Sequence, residues 1–267
     1  MAKLIDLRKG VGSVLLWSII SAAFIGPGTV TTAAKAGAAY RFELLWALSF
    51  SVAAAIILQE AARISIASGK NLGEIIALRY AERWRSLAMA LFLAVAFGCA
   101  AYEAGNILGA VAGLQLLTSA PAPLLALCVA VPAALLLWNG RHALIARTMG
   151  AVVFFMGFAF IYTAFAGKAP AGEVLRGAMI PSMPPGSLLL VVGLIGTTIV
   201  PYNLFLASGI GQGQSVREMR MGLAPAILIG GIISMAILVA GSGVTGDFSY
   251  EAVGAALGRQ LGAAGPL

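Results

Sequence analysis

Long, uninterrupted runs of apolar residues dominate this chain, and short polar segments separate them. The hydrocarbon core of a bilayer is about 30 Å thick and needs about 20 apolar residues as an α-helix. The runs are continuous rather than alternating with a period of two, which excludes a closed barrel. The pattern therefore predicts seven transmembrane helices, at about 13–39, 44–66, 86–117, 123–138, 148–166, 187–210 and 222–244.

Proline interrupts two of these runs, the first at Gly26, Pro27 and Gly28 and the sixth at Pro201. A freed backbone group is costly in lipid unless the break lies inside protein or lines a cavity. Corresponding breaks in the two halves of a transporter indicate a substrate site near the membrane midplane. A simple proline kink is the alternative for each. Because each break falls in the first helix of a candidate five-helix repeat, the pair favours a functional site.

The amino-acid composition agrees with a membrane protein and excludes several other classes of protein. Of the 267 residues, 60% are hydrophobic and only 10% are charged, against about 25% charged in soluble proteins. This excludes a soluble globular domain, a disordered chain and a disulfide-stapled module. We find no nucleophile–base pair, metal cluster or phosphate loop, so we expect neither an enzyme nor a bound cofactor.

The distribution of basic residues predicts the orientation in the bilayer. Short cytoplasmic loops carry an excess of Lys and Arg, and the net charge of +7 is spread over the loops, which does not suggest nucleic acid as a partner. With a cytoplasmic N-terminus, twelve of the 17 basic residues lie inside and five outside. We therefore predict a multi-pass protein of the cytoplasmic membrane. The five external residues are Lys35, Arg41, Lys168, Arg176 and Arg259.

Three polar features lie between or at the ends of the spans. The loop 67–85 is interpreted as a solvated basic connector, with an amphipathic surface helix as the alternative. The linker 167–187 is rich in Pro and Gly and is predicted to be an ordered external loop. Glu60 lies near the cytoplasmic end of the second span, and we expect it to be interfacial or paired with Arg63.

The two interrupted segments resemble those of a known family. The segment GPGTVTTAAKAGAAYRFELLW, from Gly26, is similar to the first helix of the Nramp divalent-metal transporters, whose break reads Asp-Pro-Gly-Asn. The segment LIGTTIVPYNLFLAS at 194–208 resembles their sixth helix, whose break reads Met-Pro-His-Asn. Between them, LQEAARISIASGKNL resembles the end of their second helix and the following loop. The resemblance is colinear from about residue 11 onward.

The resemblance implies an all-α, LeuT-like fold of two inverted five-helix repeats. On that basis 1–166 is the first repeat, 167–187 an external linker and 188–267 a partial second repeat with its first two helices. It also implies proton-coupled uptake of Mn²⁺ or Fe²⁺, with a small cation and protons as partners. The family core has three further helices, so we expect either a truncated chain or a second chain that supplies them.

The resemblance also assigns the substrate site, in which the usual metal ligands are altered. The family's Asp and Asn of helix one correspond to Gly26 and Thr29. Its helix-six Met corresponds to Val200, and the backbone carbonyl three residues before that Met corresponds to Thr197. Of these, Thr29 and Thr197 retain side-chain oxygens for a metal. Without a carboxylate, neutral oxygens compensate only a small part of the free energy needed to desolvate a divalent ion. Mg²⁺ with its hydration, a monovalent cation or a small organic solute fits such a site better.

This sequence has the same residues as the family at four positions of the breaks, but it differs from the family at positions of the proton pathway. The hinge residues that match the family are Pro27, Gly28, Pro201 and Asn203. The helix-six histidine is replaced by Tyr202, whose phenol does not titrate near neutral pH. On the third helix, alignment at Gly109 puts Glu103 at the family's Asp position and Asn106 at its Glu position. Glu103 is expected to relay a proton or attract a cation. The alternatives are that it partners a basic group on a helix not present here or is a neutral buried acid.

Three functional hypotheses follow. The leading one is an Nramp-like secondary transporter of divalent metal cations, manganese or iron by family, with Mg²⁺ or another cation favoured by the ligand losses. The second is a non-transporting membrane protein that keeps the scaffold for signalling or assembly. The third is a partial chain without independent activity. The leading hypothesis predicts that Thr29, Thr197 and the carbonyls around Gly26 and Val200 face one cavity.

Overall fold

The described chain is almost entirely α-helical. A computed structural model describes residues 25–80, 85–138, 142–211, 214–244 and 249–261, so the first part of the first predicted span lies outside the described residues. Twelve helices occupy this described part. They are α1 (Pro27–Tyr40), α2 (Leu45–Gln59), α3 (Ala62–Ser68), α4 (Leu72–Tyr80), α5 (Arg85–Gln115), α6 (Ala122–Trp138), α7 (His142–Ala166), α8 (Ala171–Met179), α9 (Leu188–Thr198), α10 (Pro201–Ile210), α11 (Val216–Gly241) and α12 (Tyr250–Leu261).

These helices account for the predicted spans. Four helical stretches of the described residues are long and apolar enough to cross a membrane: Leu45–Ser68, Arg85–Gln115, Leu188–Gly209 and Val216–Gly241. α6 and α7 add shorter apolar stretches at Ala122–Leu136 and Gly150–Ala166. With α1, these are the seven helices expected from the hydrophobic pattern, and the all-α membrane fold is confirmed.

The second span contains a tightened turn that the apolar pattern did not reveal. Between α2 and α3 the chain forms i→i+3 hydrogen bonds, including Ala61 N–H to the Leu58 carbonyl at 3.0 Å and Arg63 N–H to the Glu60 carbonyl at 3.1 Å. At this turn the Glu60 carboxylate accepts from Arg220 of α11, with Nε to Oε1 at 2.9 Å and Nε to Oε2 at 3.2 Å. Glu60 therefore pairs with Arg220, and the expected partner Arg63 is exposed.

Two connecting segments are helical. The connector expected at 67–85 contains α4, whose first residue, Leu72, donates its N–H to Ser208 Oγ of α10 at 3.1 Å. The linker 167–187 contains α8. It is hydrogen-bonded to α2 through Trp46, whose Nε1 donates to the Ser182 carbonyl at 2.9 Å. It is also tied by Tyr40, whose hydroxyl donates to the Pro185 carbonyl at 3.1 Å. The chain between the fifth and sixth spans is therefore partly helical and is bonded to residues of α1 and α2.

The helix of the seventh predicted span, α11, begins earlier than the apolar run that predicted it. α11 starts at Val216 because Ser215 and Glu218 form a reciprocal capping box, in which Ser215 Oγ accepts the Glu218 N–H at 3.2 Å. The Glu218 carboxylate in turn accepts the Ser215 N–H at 2.9 Å. Such a box satisfies two backbone donors that a helix start leaves open. The first turns of α11 are polar, and this is why hydropathy alone placed its start at 222.

α1 and α11 form the tightest crossing in the described structure. Ala33, Ala34 and Ala36 on α1 are essentially inaccessible. A Cβ added at Gly37 would collide with the Leu238 carbonyl oxygen, and one added at Gly241 would collide with the backbone of Ala34. Small residues let helix backbones approach closely, which is a common basis of helix association in membranes. The crossing fixes the helix that follows the first break against the centre of the bundle.

Replacing Gly37 with valine tests this crossing. The obstructing atoms belong to the backbone of α11 and cannot rotate away, so we expect Gly37→Val to destabilise the fold by about 3 kcal/mol, at the upper end of overpacking costs. Gly98→Val on α5 is the matched control, because a Cβ there has no neighbour within 4 Å. Thermal unfolding in nanodiscs measures both. Equal losses for the two variants would show that the crossing is looser than described.

The pairing of Glu60 with Arg220 is tested by exchanging the charges. We expect Glu60→Arg and Arg220→Glu each to lower the unfolding temperature, because each places two like charges at the turn. The double variant restores an ion pair in the opposite sense and should recover part of the loss. Arg85→Glu is the control, since Arg85 is an exposed arginine at the start of α5, away from this turn in the sequence. A double variant less stable than both singles would argue against direct pairing.

Candidate functional site

The first break is shaped by proline at the start of α1. Gly26 precedes the helix in an extended conformation, with φ −120° and ψ 179°, and Pro27 is the first helical residue. Proline suits this position because its φ is pre-set for a helix and the N–H it lacks would have had no helical partner. The first helical bond runs from the Val30 N–H to the Gly26 carbonyl at 3.0 Å. α1 therefore begins abruptly inside an apolar segment.

The second break separates α9 from α10. Val200 is extended, with φ −97° and ψ 120°, and Pro201 is the first residue of α10. In an uninterrupted helix the Thr197 carbonyl would accept from residue 201, but proline has no N–H to donate. The carbonyl end of α9 is therefore open at the break. Carbonyls at a helix C-terminus carry partial negative charge and favour a cation.

Side-chain hydroxyls from three helices meet beside the first break. Thr29 on α1 is completely buried, and its Oγ1 lies 3.3 Å from the hydroxyl of Tyr102 on α5. The ring of Tyr102 packs edge-on against that of Tyr202 on α10, with centroids 5.6 Å apart. The cluster of Thr29, Tyr102 and Tyr202, here called the hydroxyl cluster, therefore joins α1 and α10, the helices that follow the two breaks.

The other two predicted site residues lie at the end of α9. The Thr197 hydroxyl donates to the Leu194 carbonyl at 3.0 Å, so its proton is used within its own helix while its lone pairs stay available. Val200 is 6% exposed and contributes an apolar side chain. Joint binding of one ion by Thr29 and Thr197 stays a prediction.

The predicted hinge and proton residues differ in exposure. Pro27 and Pro201 are exposed, whereas Asn203 is 1% exposed and its Oδ1 has no hydrogen-bond partner in the described part of the chain. Glu103 is exposed on α5, and its Oε2 accepts from Asn106 Nδ2 at 3.3 Å. Asn106 Oδ1 accepts in turn from the Gly28 N–H at 3.4 Å. The hinge residue Gly28 and the acidic Glu103 are thus linked through one amide.

Sequence reasoning missed Tyr102 and underrated Asn106. Both lie on α5 with Gly109, at positions i, i+4 and i+7, which places them on one face of a helix. A polar residue every turn or so inside an otherwise apolar span is the signal that could have identified this face. The apolar pattern alone did not, because α5 is hydrophobic on all sides.

The site as a whole is poor in charge. Within the residues described, no group of three or more His, Cys, Asp and Glu is placed to hold a metal ion. The groups at the breaks are hydroxyls, an amide and backbone carbonyls, with Glu103 at the edge. Neutral oxygens of this kind suit a cation with a modest desolvation cost rather than a dehydrated transition metal.

A bundle of apolar helices in which two spans break at prolines, with polar groups gathered at the breaks, defines a multi-pass membrane protein with the kind of broken helices that transporter folds contain. Comparison with known sequences makes this more specific. The family model described as natural resistance-associated macrophage protein-like matches residues 18–265. The chain belongs to the Nramp family.

Relatives with established names agree with this membership. The chain is 26% identical over 255 residues to the divalent metal cation transporter MntH of Verminephrobacter eiseniae, covering 88% of this chain and 57% of that protein. It is 30% identical over 235 residues to MntH of Deinococcus radiodurans, covering 82% and 53%. It is 28% identical over 230 residues to human natural resistance-associated macrophage protein 1, covering 80% and 41%. The chain spans about half the length of these relatives.

Solved structures support the fold. A crystal structure of the manganese transporter of Eremococcus coleocola superposes with a TM-score of 0.77 at 22% identity, covering 92% of this chain and 54% of that one. At this identity the likeness concerns the fold, and it confirms the LeuT-like helical architecture that the family resemblance implies.

Removing the Tyr102 hydroxyl tests the hydroxyl cluster. We expect Tyr102→Phe to reduce stability by about 1 kcal/mol, because Thr29 is buried and loses a hydrogen-bonding neighbour. Tyr162→Phe is the matched control, since Tyr162 on α7 is about half exposed, at 48%. Thermal unfolding in nanodiscs compares the two. A Tyr102 variant as stable as the control would show that the contact carries no energy.

Proposed function

We propose that this chain forms the substrate site of an Nramp-type secondary transporter that moves a cation across the cytoplasmic membrane. The observation that carries the proposal is the pair of breaks, which leaves the Thr197 carbonyl without its helical donor and places Thr29 in the hydroxyl cluster. Open carbonyls beside hydroxyls are typical of cation sites in transporters with broken helices. The function proposed is transport, not catalysis.

Family and ligand chemistry together narrow the substrate. Two of the named relatives, the MntH proteins, are divalent metal cation transporters, which makes a divalent cation the first class to test. Gly26 and Val200 supply no ligand atoms, so Mg²⁺ with part of its hydration, or another cation, is favoured over dehydrated Mn²⁺ or Fe²⁺. We propose Thr29, Thr197 and the carbonyls near Gly26 and Val200 as the substrate ligands.

The remaining roles follow from position. We propose Pro27, Gly28, Pro201 and Asn203 as the hinge, because they start the two helices that follow the breaks. Coupling to protons is proposed through Glu103, the acidic residue nearest the hydroxyl cluster along α5. Tyr202 contributes its ring and hydroxyl to the cluster.

The proposed arrangement in the membrane follows the sequence. We propose a cytoplasmic N-terminus, a first repeat at 1–166, a linker at 167–187 and the beginning of a second repeat at 188–267. The named relatives are about twice as long as this chain, and a second chain as a partner stays a prediction.

Uptake by proteoliposomes tests the function. The chain is reconstituted and supplied with Mn²⁺ or Mg²⁺, with and without a pH gradient, against empty liposomes. We expect uptake of Mg²⁺ in excess of Mn²⁺, and a loss of about tenfold for Thr29→Ala and Thr197→Ala, because each removes a hydroxyl ligand.

The control and the contrary outcomes are defined by the same helices. Thr163→Ala on α7 is matched to Thr197→Ala, since the Thr163 hydroxyl also donates within its own helix, to the Ala159 carbonyl at 2.8 Å. It should leave uptake unchanged. Strong Mn²⁺ uptake would show that a site of neutral oxygens suffices for a transition metal. No uptake of either ion by folded protein would refute transport by this chain and favour a non-transporting scaffold.

A further inference from the structure

α5 and the start of α1 approach each other unusually closely. A Cβ added at Gly109 would lie 2.6 Å from Pro27 Cβ and 3.0 Å from the Pro27 carbonyl carbon. The same face of α5 carries Tyr102 and Asn106, which contact Thr29 and Gly28. One helix face therefore contacts three consecutive residues at the start of α1.

The Asn106 amide has one orientation that satisfies both neighbours. Its oxygen accepts from the Gly28 N–H at 3.4 Å, and its nitrogen donates to the Glu103 carboxylate at 3.3 Å. The opposite orientation would turn an NH₂ group toward an N–H and an amide oxygen toward a carboxylate, leaving both contacts repulsive. Glu103 therefore positions the amide so that its oxygen faces the break.

Asn106 fills the place that a side chain at position 26 would take. A Cβ added at Gly26 would lie 2.5 Å from Asn106 Oδ1, 3.2 Å from Cγ and 3.4 Å from Nδ2. The first distance is shorter than any ordinary contact, so a side chain at 26 requires the amide to move. Moving it would break the contacts with Gly28 and Glu103. A side chain at position 26 and the observed Asn106 conformation exclude each other.

We propose that Asn106 is a specificity-determining residue of the first break. Its amide oxygen occupies the space beside Gly26 and offers a neutral ligand where a carboxylate at 26 would offer an anionic one. A neutral amide compensates less of the free energy of dehydrating a divalent transition metal than a carboxylate does. Asn106 thereby selects against Mn²⁺ and for a cation that keeps its water or carries less charge. This rests on the proposed function only in taking the break as the substrate site.

Manganese binding by four proteins tests the selection. The chain, Gly26→Asp, Asn106→Ala and the double variant are reconstituted in nanodiscs and titrated with Mn²⁺, with free Mn²⁺ followed by electron paramagnetic resonance. We expect the double variant to bind at least tenfold more tightly than Gly26→Asp, because only there does the new carboxylate have room. Equal affinity within twofold would overturn the proposal. Absence of binding in all four folded proteins would also overturn it.

A stability cycle tests the shared space without any metal. We expect Gly26→Ala to lower the unfolding temperature when Asn106 is present and to have little effect in the Asn106→Ala background. Gly98→Ala on α5 is the control, with no neighbour within 4 Å of the added Cβ, and should shift both backgrounds equally. An equal loss from Gly26→Ala in both backgrounds would show that the two positions do not compete.

The binding and stability cycles separate this inference from the transport proposal. If the chain takes up no cation but both cycles show the expected coupling, Asn106 still controls the site and the transport proposal fails. If uptake is observed and the cycles show no coupling, the transport proposal stands and the role assigned to Asn106 fails.

Discussion

The cost of an unpaired backbone group in lipid governs this structure. Both breaks leave such groups, and of the residues that precede the two prolines Gly26 is half-buried and Val200 is buried. At the first break, Pro27 removes one donor and the Asn106 amide accepts another, from Gly28. At the second, Pro201 leaves the Thr197 carbonyl open. A side chain from another helix therefore meets the backbone at the first break, and a carbonyl without its helical donor remains at the second.

Close helix contacts hold the breaks in place. Gly37 and Gly241 let α1 and α11 touch through their backbones, and Gly109 lets α5 reach the first turn of α1. Without a hydrophobic force between helices in lipid, such packing provides much of the association energy. The polar contacts of Thr29 and Gly28 with α5 are then made at fixed distances. The rigidity of α1 after the break makes the geometry of the site a property of packing rather than of a flexible loop.

Charge is placed at the edges of the bundle and hydroxyls at its centre. Glu60 and Arg220 pair where the second span meets α11, the helix of the seventh span. Arg41, at the end of α1, lies 3.6 Å from Glu173 of α8. The centre holds Thr29, Tyr102 and Tyr202. Compared with a site that contains carboxylates, hydroxyl groups alone compensate less of the free energy of dehydrating an ion. Under the proposed function, selectivity depends on which neutral groups have room to approach the ion.

The sequence by itself determined the helical class, the approximate spans, the two breaks and the family, because continuous hydrophobic runs and prolines are local signals that lipid makes decisive. It also indicated the altered ligands at Gly26 and Val200. Only the tertiary structure decided that Glu60 pairs with Arg220, that Tyr102 meets Thr29, and that Asn106 occupies the space beside Gly26. These contacts join residues 73 or more positions apart, and their partners depend on how whole helices pack, which no local pattern encodes.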